Sequence, residues 1–241
     1  MSPDPTTAGT RIKGLLGYRR IPFHAGHYAH LLEFDAGQFS ADAYVEAGID
    51  RPASVARAVA RRQAEFLFGR LGARLALEEY GIPRAHVGIG PLREPVWPQG
   101  FIGSISHTRS DAVVAVLPRA GLQGIGLDIE TAIAPDTRRD IERSVLNASE
   151  RALLGSSTGL PYELLLALAF SAKESFYKAV SRDAGGFFGF EAMQIDRIDV
   201  LAGELHFTLS QSVSPAWQRG ASGAVRFARL KEETMMTSFC W

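Results

Sequence analysis

Two carboxylates one residue apart end an apolar run that extends from Gly124 to Glu130. If this run is a β-strand, its period of two places Asp128 and Glu130 on one face and the intervening apolar side chains on the other. Two acids that close repel each other unless a cation neutralises them, and oxygen donors on a rigid strand suit Mg²⁺. A solvated strand end with two exposed acids is the alternative that these residues alone leave open.

A second charged pair lies on an apolar segment that opens at Pro161 and ends near Val180. The spacing of its leucine and phenylalanine side chains predicts a helix. Glu174 and Lys178 are one helical turn apart on this segment. They are either a surface ion pair or a carboxylate and an ammonium that face a common ligand.

An arginine-rich stretch from Ser54 to Tyr80 also has helical spacing of its apolar residues. Arg62 and Arg70 are eight residues apart, which places them within about 80° of each other around a helix axis. Two arginines in that relation can clamp one anionic group. An ordinary charged outer face, with nearby glutamates as partners, is the alternative.

Phe101 to His107 and Ala112 to Leu117 are predicted to be a pair of strands joined by a polar turn. His107 ends the first strand directly after Ser106. A histidine in that position is either structural or a donor to a phosphate oxygen.

Composition excludes several functional classes. The chain has 241 residues, of which 46% are hydrophobic and 22% charged, and its formal net charge is zero. A balanced charge does not favour binding to nucleic acid or to a membrane surface. The single cysteine, Cys240, excludes a disulfide framework. With no apparent signal peptide or membrane span, a cytoplasmic protein is expected.

Several common catalytic motifs are missing from the sequence. It contains no Gly-x-x-x-x-Gly-Lys, Gly-x-Gly-x-x-Gly or His-Glu-x-x-His element. Chemistry with oxygen-ligated Mg²⁺ and phosphate therefore remains the reaction type that the residues support.

Outside the motifs, the first fifty residues are predicted to be irregular with short strands. The segments after the Gly185 to Gly189 loop are predicted to be a strand meander: Met193 to Leu201, Leu205 to Leu209, Ala224 to Leu230 and Thr234 to Trp241.

Five motifs follow one another in a distinctive order. They are Arg61-Arg62-Gln63-Ala64-Glu65-Phe66 with Gly69-Arg70, Pro95-Val96-Trp97-Pro98, Gly103-Ser104-Ile105-Ser106-His107, Gly126-Leu127-Asp128-Ile129-Glu130, and Phe170-Ser171-Ala172-Lys173-Glu174-Ser175-Phe176-Tyr177-Lys178. In order and spacing they resemble the Sfp-type 4′-phosphopantetheinyl transferases, especially the bacterial branch similar to enterobactin-synthase component D.

The resemblance implies transfer of the phosphopantetheine arm of coenzyme A (CoA) to a serine of an apo acyl or peptidyl carrier protein, with release of adenosine 3′,5′-bisphosphate. It implies Asp128, Glu130 and Glu174 as Mg²⁺ ligands, and Glu174 also as the base. It places Lys178 and His107 on the CoA diphosphate. The other implied CoA contacts are Arg62, Arg70, Arg93, Ser106 and, either as a diphosphate contact or as a salt-bridge partner, Lys173.

The implied fold is α+β, a pseudodimer of two similar halves with CoA in the cleft between them. Each half is a small, mostly antiparallel sheet packed on a long helix. The boundary is expected near Leu122, so that residues 1–122 bind the nucleotide and residues 123–241 hold the metal and dock the carrier. The protein is expected to be a cytoplasmic monomer.

The segment from Thr131 to Gly159 is the expected docking surface for the carrier, which in this system is typically acidic. It is expected to be helical in parts, and a solvated segment with internal ion pairs is the alternative. Its basic and apolar residues are Arg138, Arg139, Arg143 and Arg151, with Ile141, Val145, Leu146, Leu153 and Leu154. Two other functions stay open: an Mg²⁺-dependent hydrolase of the CoA diphosphate, and a non-catalytic binder of CoA or of a carrier protein.

Overall fold

Residues 12–91, 93–184 and 186–241 are described by the computed structural model. The chain divides into two units, the first ending at Ala120 and the second running from Gly121 to Trp241. Within the described ranges, no helix is long and apolar enough to cross a membrane. The expected absence of a signal peptide concerns residues 1–11 above all, and these lie outside the described residues, as does Gly185 of the predicted loop.

The first unit is a four-stranded antiparallel sheet of order β1-β2-β6-β5, covered by its longest helix. Its elements are β1 (Leu15–Pro22), β2 (Tyr28–Phe34), α1 (Asp42–Ala47), α2 (Ala53–Ala56), α3 (Ala60–Glu78), β3 (Gly88–Ile89), β4 (Pro95–Val96), β5 (Phe101–His107) and β6 (Asp111–Pro118). Helix α3 packs on β2 and β6, and the rings of Phe34 and Phe68 stack at 4.8 Å in the core between them.

The predicted strand pair agrees with β5 and β6, whereas the predicted Ser54 to Tyr80 helix is wrong in its first turns. The chain forms α2 only as far as Ala56, and Val59 has extended backbone angles before α3 begins. No glycine or proline marks this break. The first fifty residues are also more regular than predicted, because β1 and β2 pair along their whole length.

The second unit is a five-stranded antiparallel sheet of order β7-β11-β10-β9-β8. Its elements are β7 (Ile125–Thr131), α4 (Arg138–Val145), α5 (Ala148–Ser156), α6 (Tyr162–Val180), a short 3₁₀ turn (Phe190–Ala192), β8 (Met193–Asp199), β9 (Glu204–Leu209), β10 (Ser222–Lys231) and β11 (Thr234–Cys240). Helix α6 packs on β7 and β11. An aromatic cluster fills this interface and consists of Phe176, Phe207, Trp217 and Phe239.

The apolar end of the chain, which has no functional explanation from sequence, is part of this core. Phe239 is buried, and the indole of Trp241 donates to the carbonyl of Ala179 at 3.2 Å. The backbone carbonyl of Trp241 accepts from the amides of Gln123 and Gly124 at 2.7 and 3.2 Å. The last residue thereby joins the entry of β7 to the end of α6.

The α+β prediction is confirmed, since antiparallel sheets and helices make up both units. The further prediction, that the two halves are related as a pseudodimer, stays a prediction.

A buried histidine lies in the first unit, on β2. His30 is 1% exposed, and its Nδ1 is 2.9 Å from the hydroxyl of Tyr18. Burial, opposed by the carboxylate of Glu79 and assisted by the charge of Arg20, lowers the pKa of this imidazole to about 4. The folded protein therefore holds His30 neutral at pH values where the unfolded chain protonates it.

We expect the free energy of unfolding to fall as the pH drops from about 6.5 towards 4, because the unfolded chain binds a proton that the folded chain excludes. The contribution of His30 is on the order of 2 kcal/mol at pH 4.5. Urea midpoints at pH 7.5 and 4.5 measure it. His30→Gln, which keeps an acceptor for Tyr18, is expected to show a smaller pH dependence, whereas the exposed His86→Gln keeps the parental one. Equal slopes for His30→Gln and the parent would contradict the prediction.

Candidate active site

The site begins with the close approach of β7 to α6. A Cβ atom on Gly126 would overlap the backbone carbonyl of Ser175, and one on Gly124 would overlap that of Ala179. Glycine at both positions allows the strand to lie directly against the helix backbone. The acids at the end of β7 are thereby brought beside the charged turn of α6.

An ion pair joins the two elements. Lys178 Nζ lies 2.6 Å from Asp128 Oδ1 and 3.3 Å from the carbonyl oxygen of Leu127. The side chain of Asp128 is only 5% exposed and that of Lys178 is 27% exposed. A buried carboxylate needs such a partner, because an isolated charge in a protein interior is costly.

Two more carboxylates lie within electrostatic range of this pair. Burial, together with the charges of Asp128 and Glu174 and against the opposing charge of Lys178, raises the pKa of Glu130 to about 8. Burial also raises the pKa of Glu174, where Lys178 lowers it and Asp128 raises it. The sequence-predicted acids and Lys178 are thus neighbours, and the raised pKa of Glu130 and of Glu174 reflects burial in a place where one ammonium cannot balance three ionised carboxylates.

The donor chemistry of this cluster fits a hard divalent cation, since carboxylate oxygens are the ligands that Mg²⁺ prefers. Across the part of the chain that the structure describes, however, no three acid, histidine or cysteine side chains are arranged as ligands of one ion. The ammonium of Lys178 occupies one oxygen of Asp128 instead. Metal binding would therefore require small side-chain movements within the cluster.

Lys173 differs from the other predicted CoA contacts. Its side chain is 2% exposed, and Nζ lies 2.7 Å from Glu150 Oε1 and donates to the carbonyl of Val145 at 2.7 Å. Glu150 also accepts from the amides of Ile195 and Asn147, both at 2.9 Å. Of the two roles considered for Lys173, the structure shows the salt bridge; the diphosphate contact stays a prediction, and it would require this buried ammonium to leave Glu150 and Val145.

In the first unit, Arg62 and His107 are brought together by α3 and the end of β5. Arg62 Nη1 is 2.7 Å from His107 Nε2 and 3.1 Å from Glu65 Oε2, and His107 Nδ1 is 3.7 Å from the same carboxylate oxygen. The neighbouring Ser106 is buried in β5. Glu65 contacts both Arg62 and His107, the two predicted phosphate-binding side chains. From the sequence it was expected only as an ion-pair partner on a charged outer face.

Arg70 lines a cavity of about 290 Å³ in the same unit. Its guanidinium donates to the carbonyl of Gly88 at 3.0 Å and lies over the ring of Phe66 at 4.7 Å. Burial, together with the charge of Arg62, lowers its pKa to about 10. Its Nε is buried and has no hydrogen-bond partner among the described residues. Other basic side chains also line the cavity: Arg74, Arg84 and His86.

Arg93 lies away from the lining of this cavity. It is exposed in a turn, where its backbone φ is 67° and its amide donates to the carbonyl of Gly90 at 2.9 Å. The structure assigns no anion contact to it, so its role at the nucleotide stays a prediction.

An apolar pocket of about 140 Å³ lies beside Glu174 in the second unit. Its aromatic lining consists of Phe176, Tyr177, Phe187, Phe188 and Phe190. Sequence reasoning treated these residues as helix core and loop. The sequence feature that indicates this pocket is an aromatic-rich loop, Phe187 to Phe190, which follows soon after the charged turn of α6.

The expected docking segment forms α4 and α5, which confirms that it is helical in parts. Its apolar residues are mostly core rather than docking surface, because Val145, Leu146 and Leu154 are buried against α6. Arg138 bonds to Glu142 at 2.9 Å and Glu163 at 3.2 Å, and Arg151 donates to the carbonyl of Leu146. Two arginines, Arg139 and Arg143, are exposed on α4.

Comparison with known proteins covers both units. Residues 50–117 match the family model described as the 4′-phosphopantetheinyl transferase N-terminal domain, and residues 124–230 match the 4′-phosphopantetheinyl transferase superfamily. The chain is 42% identical to enterobactin synthase component D of Salmonella typhi over 77% of its own length and 75% of the relative's. It is 40% identical to the same component of Escherichia coli, over 68% and 77%. It is 33% identical to the 4′-phosphopantetheinyl transferase PptT of Mycobacterium tuberculosis, over 58% and 61%.

We expect Gly126→Ala to separate β7 from α6, because the added methyl group meets a backbone carbonyl that cannot rotate away. Overpacking of this kind costs about 1–3 kcal/mol or more, which urea unfolding measures. Gly155→Ala is the matched control, since a methyl group there meets no atom within 4 Å and lies on α5. Equal stability of both variants would mean that the strand and helix have more freedom than the structure indicates.

Proposed function

The chain belongs to the 4′-phosphopantetheinyl transferase superfamily, and on that premise we propose that it transfers the 4′-phosphopantetheine arm of CoA to a serine of an apo carrier protein, releasing adenosine 3′,5′-bisphosphate. The observation that carries the proposal is the cluster of Asp128, Glu130 and Glu174 around the ammonium of Lys178. Such a cluster can hold a cation and a diphosphate at one place.

Asp128, Glu130 and Glu174 would hold Mg²⁺, which when bound neutralises charge on the diphosphate and on the leaving phosphate. Lys178 would then turn its ammonium from Asp128 towards a diphosphate oxygen. It is suited to this exchange because it is the more exposed member of the ion pair. The rearrangement substitutes one cation for another beside the same carboxylate.

The reaction forms a bond from the serine oxygen of the carrier to the β-phosphorus of CoA. The bond from that phosphorus to the bridging oxygen breaks, and the nucleotide leaves with the electron pair. We assign Glu174 as the group that takes the serine proton, directly or through a water, because it lies on α6 at the edge of the aromatic pocket. Positioning and electrostatic stabilisation supply most of the acceleration in such transfers.

Residues 1–122 would bind the nucleotide end of CoA in this proposal. Arg62 and His107 form one basic group, Ser106 precedes His107 as a buried residue of β5, and Arg70 faces a cavity of about 290 Å³ that other arginines also line. The arginines that line this cavity favour an anion there, because a guanidinium gains charge-assisted bonds to phosphate. Arg93 is kept as a more peripheral contact.

Residues 123–241 would hold the metal, the pantetheine arm and the carrier. The aromatic pocket beside Glu174 is apolar enough for the dimethyl and methylene groups of the arm. The enterobactin synthase relatives make a carrier from siderophore synthesis the first acceptor to test. A monomeric state and a cytoplasmic location belong to the same proposal. No observation favours the hydrolase or the non-catalytic binder.

Incubation of the protein with CoA, Mg²⁺ and an apo carrier tests the proposal. We expect the carrier to gain the mass of one phosphopantetheine group in mass spectrometry. Asp128→Asn and Glu174→Gln are each expected to lower the rate at least a hundredfold while urea unfolding stays cooperative, because they remove charge from the cation site. Asp136→Asn, an exposed acid, is the control. Free phosphopantetheine without carrier modification would instead indicate a hydrolase.

We expect Arg62→Ala to raise the KM for CoA roughly tenfold, because a charge-assisted bond to the 3′-phosphate is lost. The KM for 3′-dephospho-CoA should change little. Arg61→Ala is the matched control, since Arg61 shares Glu65 as a partner but has no contact with His107 in the structure. An equal rise for both ligands would move Arg62 away from the 3′-phosphate.

The exposed arginines of α4 remain as candidates for steering an acidic carrier. We expect Arg139→Glu with Arg143→Glu to raise the KM for the carrier severalfold at low ionic strength and less in high salt, because screening weakens steering. The KM for CoA should not change. Arg219→Glu with Arg226→Glu carries the same charge change on other exposed positions of the second unit. An unaltered carrier KM in the α4 variant would place docking elsewhere.

A further inference from the structure

Three hydroxyl groups form a buried cluster between α6 and β11. Ser171, Ser175 and Thr237 are each 0% exposed. They lie in an interface that is otherwise apolar and aromatic. Buried hydroxyls are unfavourable unless they are hydrogen-bonded, so their presence requires an explanation beyond filling space.

Proton counting fixes the direction of every bond in this hydroxyl cluster. Thr237 Oγ1 donates its only proton to the backbone carbonyl of Ser171 at 2.8 Å. It must therefore accept from Ser171 Oγ at 2.8 Å and from Ser175 Oγ at 2.6 Å, which uses both of its lone pairs. The threonine hydroxyl is saturated, and each serine has its proton committed.

The hydroxyl cluster lies directly behind the carboxylate site. Thr237 is the register partner of Asp128 in the pairing of β11 with β7, so their side chains share one face of the sheet. Ser175 follows Glu174 in sequence and precedes Lys178 by three residues. Thr237 is therefore opposite Asp128 on the sheet and is also bonded to the turn of α6 that carries Glu174 and Lys178.

Apolar packing and directional bonds constrain a helix differently. The aromatic contacts of α6 tolerate a small slide along the sheet, because dispersion has little directional preference. Three hydrogen bonds that converge on one oxygen do not tolerate it. The hydroxyl cluster thus fixes both the position along the helix axis and the rotation of α6.

We propose that Thr237 is a positioning residue for phosphopantetheinyl transfer, acting through its bonds to Ser171 and Ser175 to set Glu174 and Lys178 against Asp128. The inference rests on the proposed function and adds to it a residue that touches neither substrate nor metal. Its action depends on hydroxyl direction and not on the volume of the side chain.

Thr237→Val removes the hydroxyl and its directional hydrogen bonds with almost no change in side-chain volume. It removes the shared acceptor of two serine protons and the donor to the Ser171 carbonyl in a dry interface, so we expect lower stability, a kcat at least tenfold lower and a KM for CoA within twofold of the parent. Thr237→Ser keeps the hydroxyl and is expected to retain kcat within about threefold.

A triple variant, Thr237→Val with Ser171→Ala and Ser175→Ala, separates positioning from stability. Removing all three hydroxyls leaves no unsatisfied donor, so we expect the urea midpoint to recover towards the parental value while kcat stays at least tenfold low. Recovery of kcat together with stability would overturn the proposal, because the hydroxyl cluster would then be structural only.

Mg²⁺ titration by calorimetry, without CoA or carrier, gives a readout that does not depend on transfer. We expect the triple variant to bind Mg²⁺ several times more weakly than the parent, because the carboxylates of β7 and α6 no longer converge. Equal Mg²⁺ affinity, including no binding to either protein, would overturn the positioning role. Absence of carrier modification by the parent would instead defeat the proposed function, so the two failures are distinguishable.

Discussion

The distance between β7 and α6 controls most of what the second unit can do. Where Gly126 faces the carbonyl of Ser175, the strand backbone lies closer to the helix than any side chain would permit. This approach allows Lys178 to reach Asp128 at 2.6 Å. The ion pair then offsets the cost of burying the aspartate. The other two acids of the cluster, Glu130 and Glu174, lie in the same largely buried place.

Two adjacent stretches of α6 illustrate how one helix supports both stability and chemistry. Lys173 pairs with Glu150, whose other bonds go to backbone amides, so the two buried charges balance each other. Lys178 pairs with an aspartate that has two further acids nearby, and burial beside one another raises the pKa of Glu130 and of Glu174. A balanced pair resists change, whereas an unbalanced one gains by taking up a cation.

The regions predicted correctly from the sequence have strong hydrophobic periodicity or are bounded by turn residues. Strand β5, the body of α6 and the meander of the second unit follow from alternation, helical spacing and turn residues. The break before α3 could not be predicted, because Val59 leaves the helix without any breaking residue. Likewise, no local signal separates Val145 and Leu146 as core from an exposed docking face, since their burial depends on where α4 and α5 lie against α6.

Of the candidate site, the proximity of Asp128, Glu130, Glu174 and Lys178 could be anticipated from motif order. Partners that lie distant in sequence could not. Glu65 meets His107 across 42 residues of chain, and Thr237 meets Ser171 across 66. Neither contact leaves a pattern in any short window, because each depends on the register of a sheet and on the packing of a helix against it.

The aromatic cluster of the second unit also gives the protein an optical property. Trp217 and Trp241 lie edge to face with ring centroids 5.9 Å apart, and Trp97 is the only tryptophan of the first unit. Both indoles are held rigidly in a packed aromatic environment, so their fluorescence and near-ultraviolet circular dichroism depend on that packing. Fluorescence and circular dichroism of tryptophan therefore report mainly on the second unit. Detachment of the end of β11 from this unit can be followed with them, without an added label.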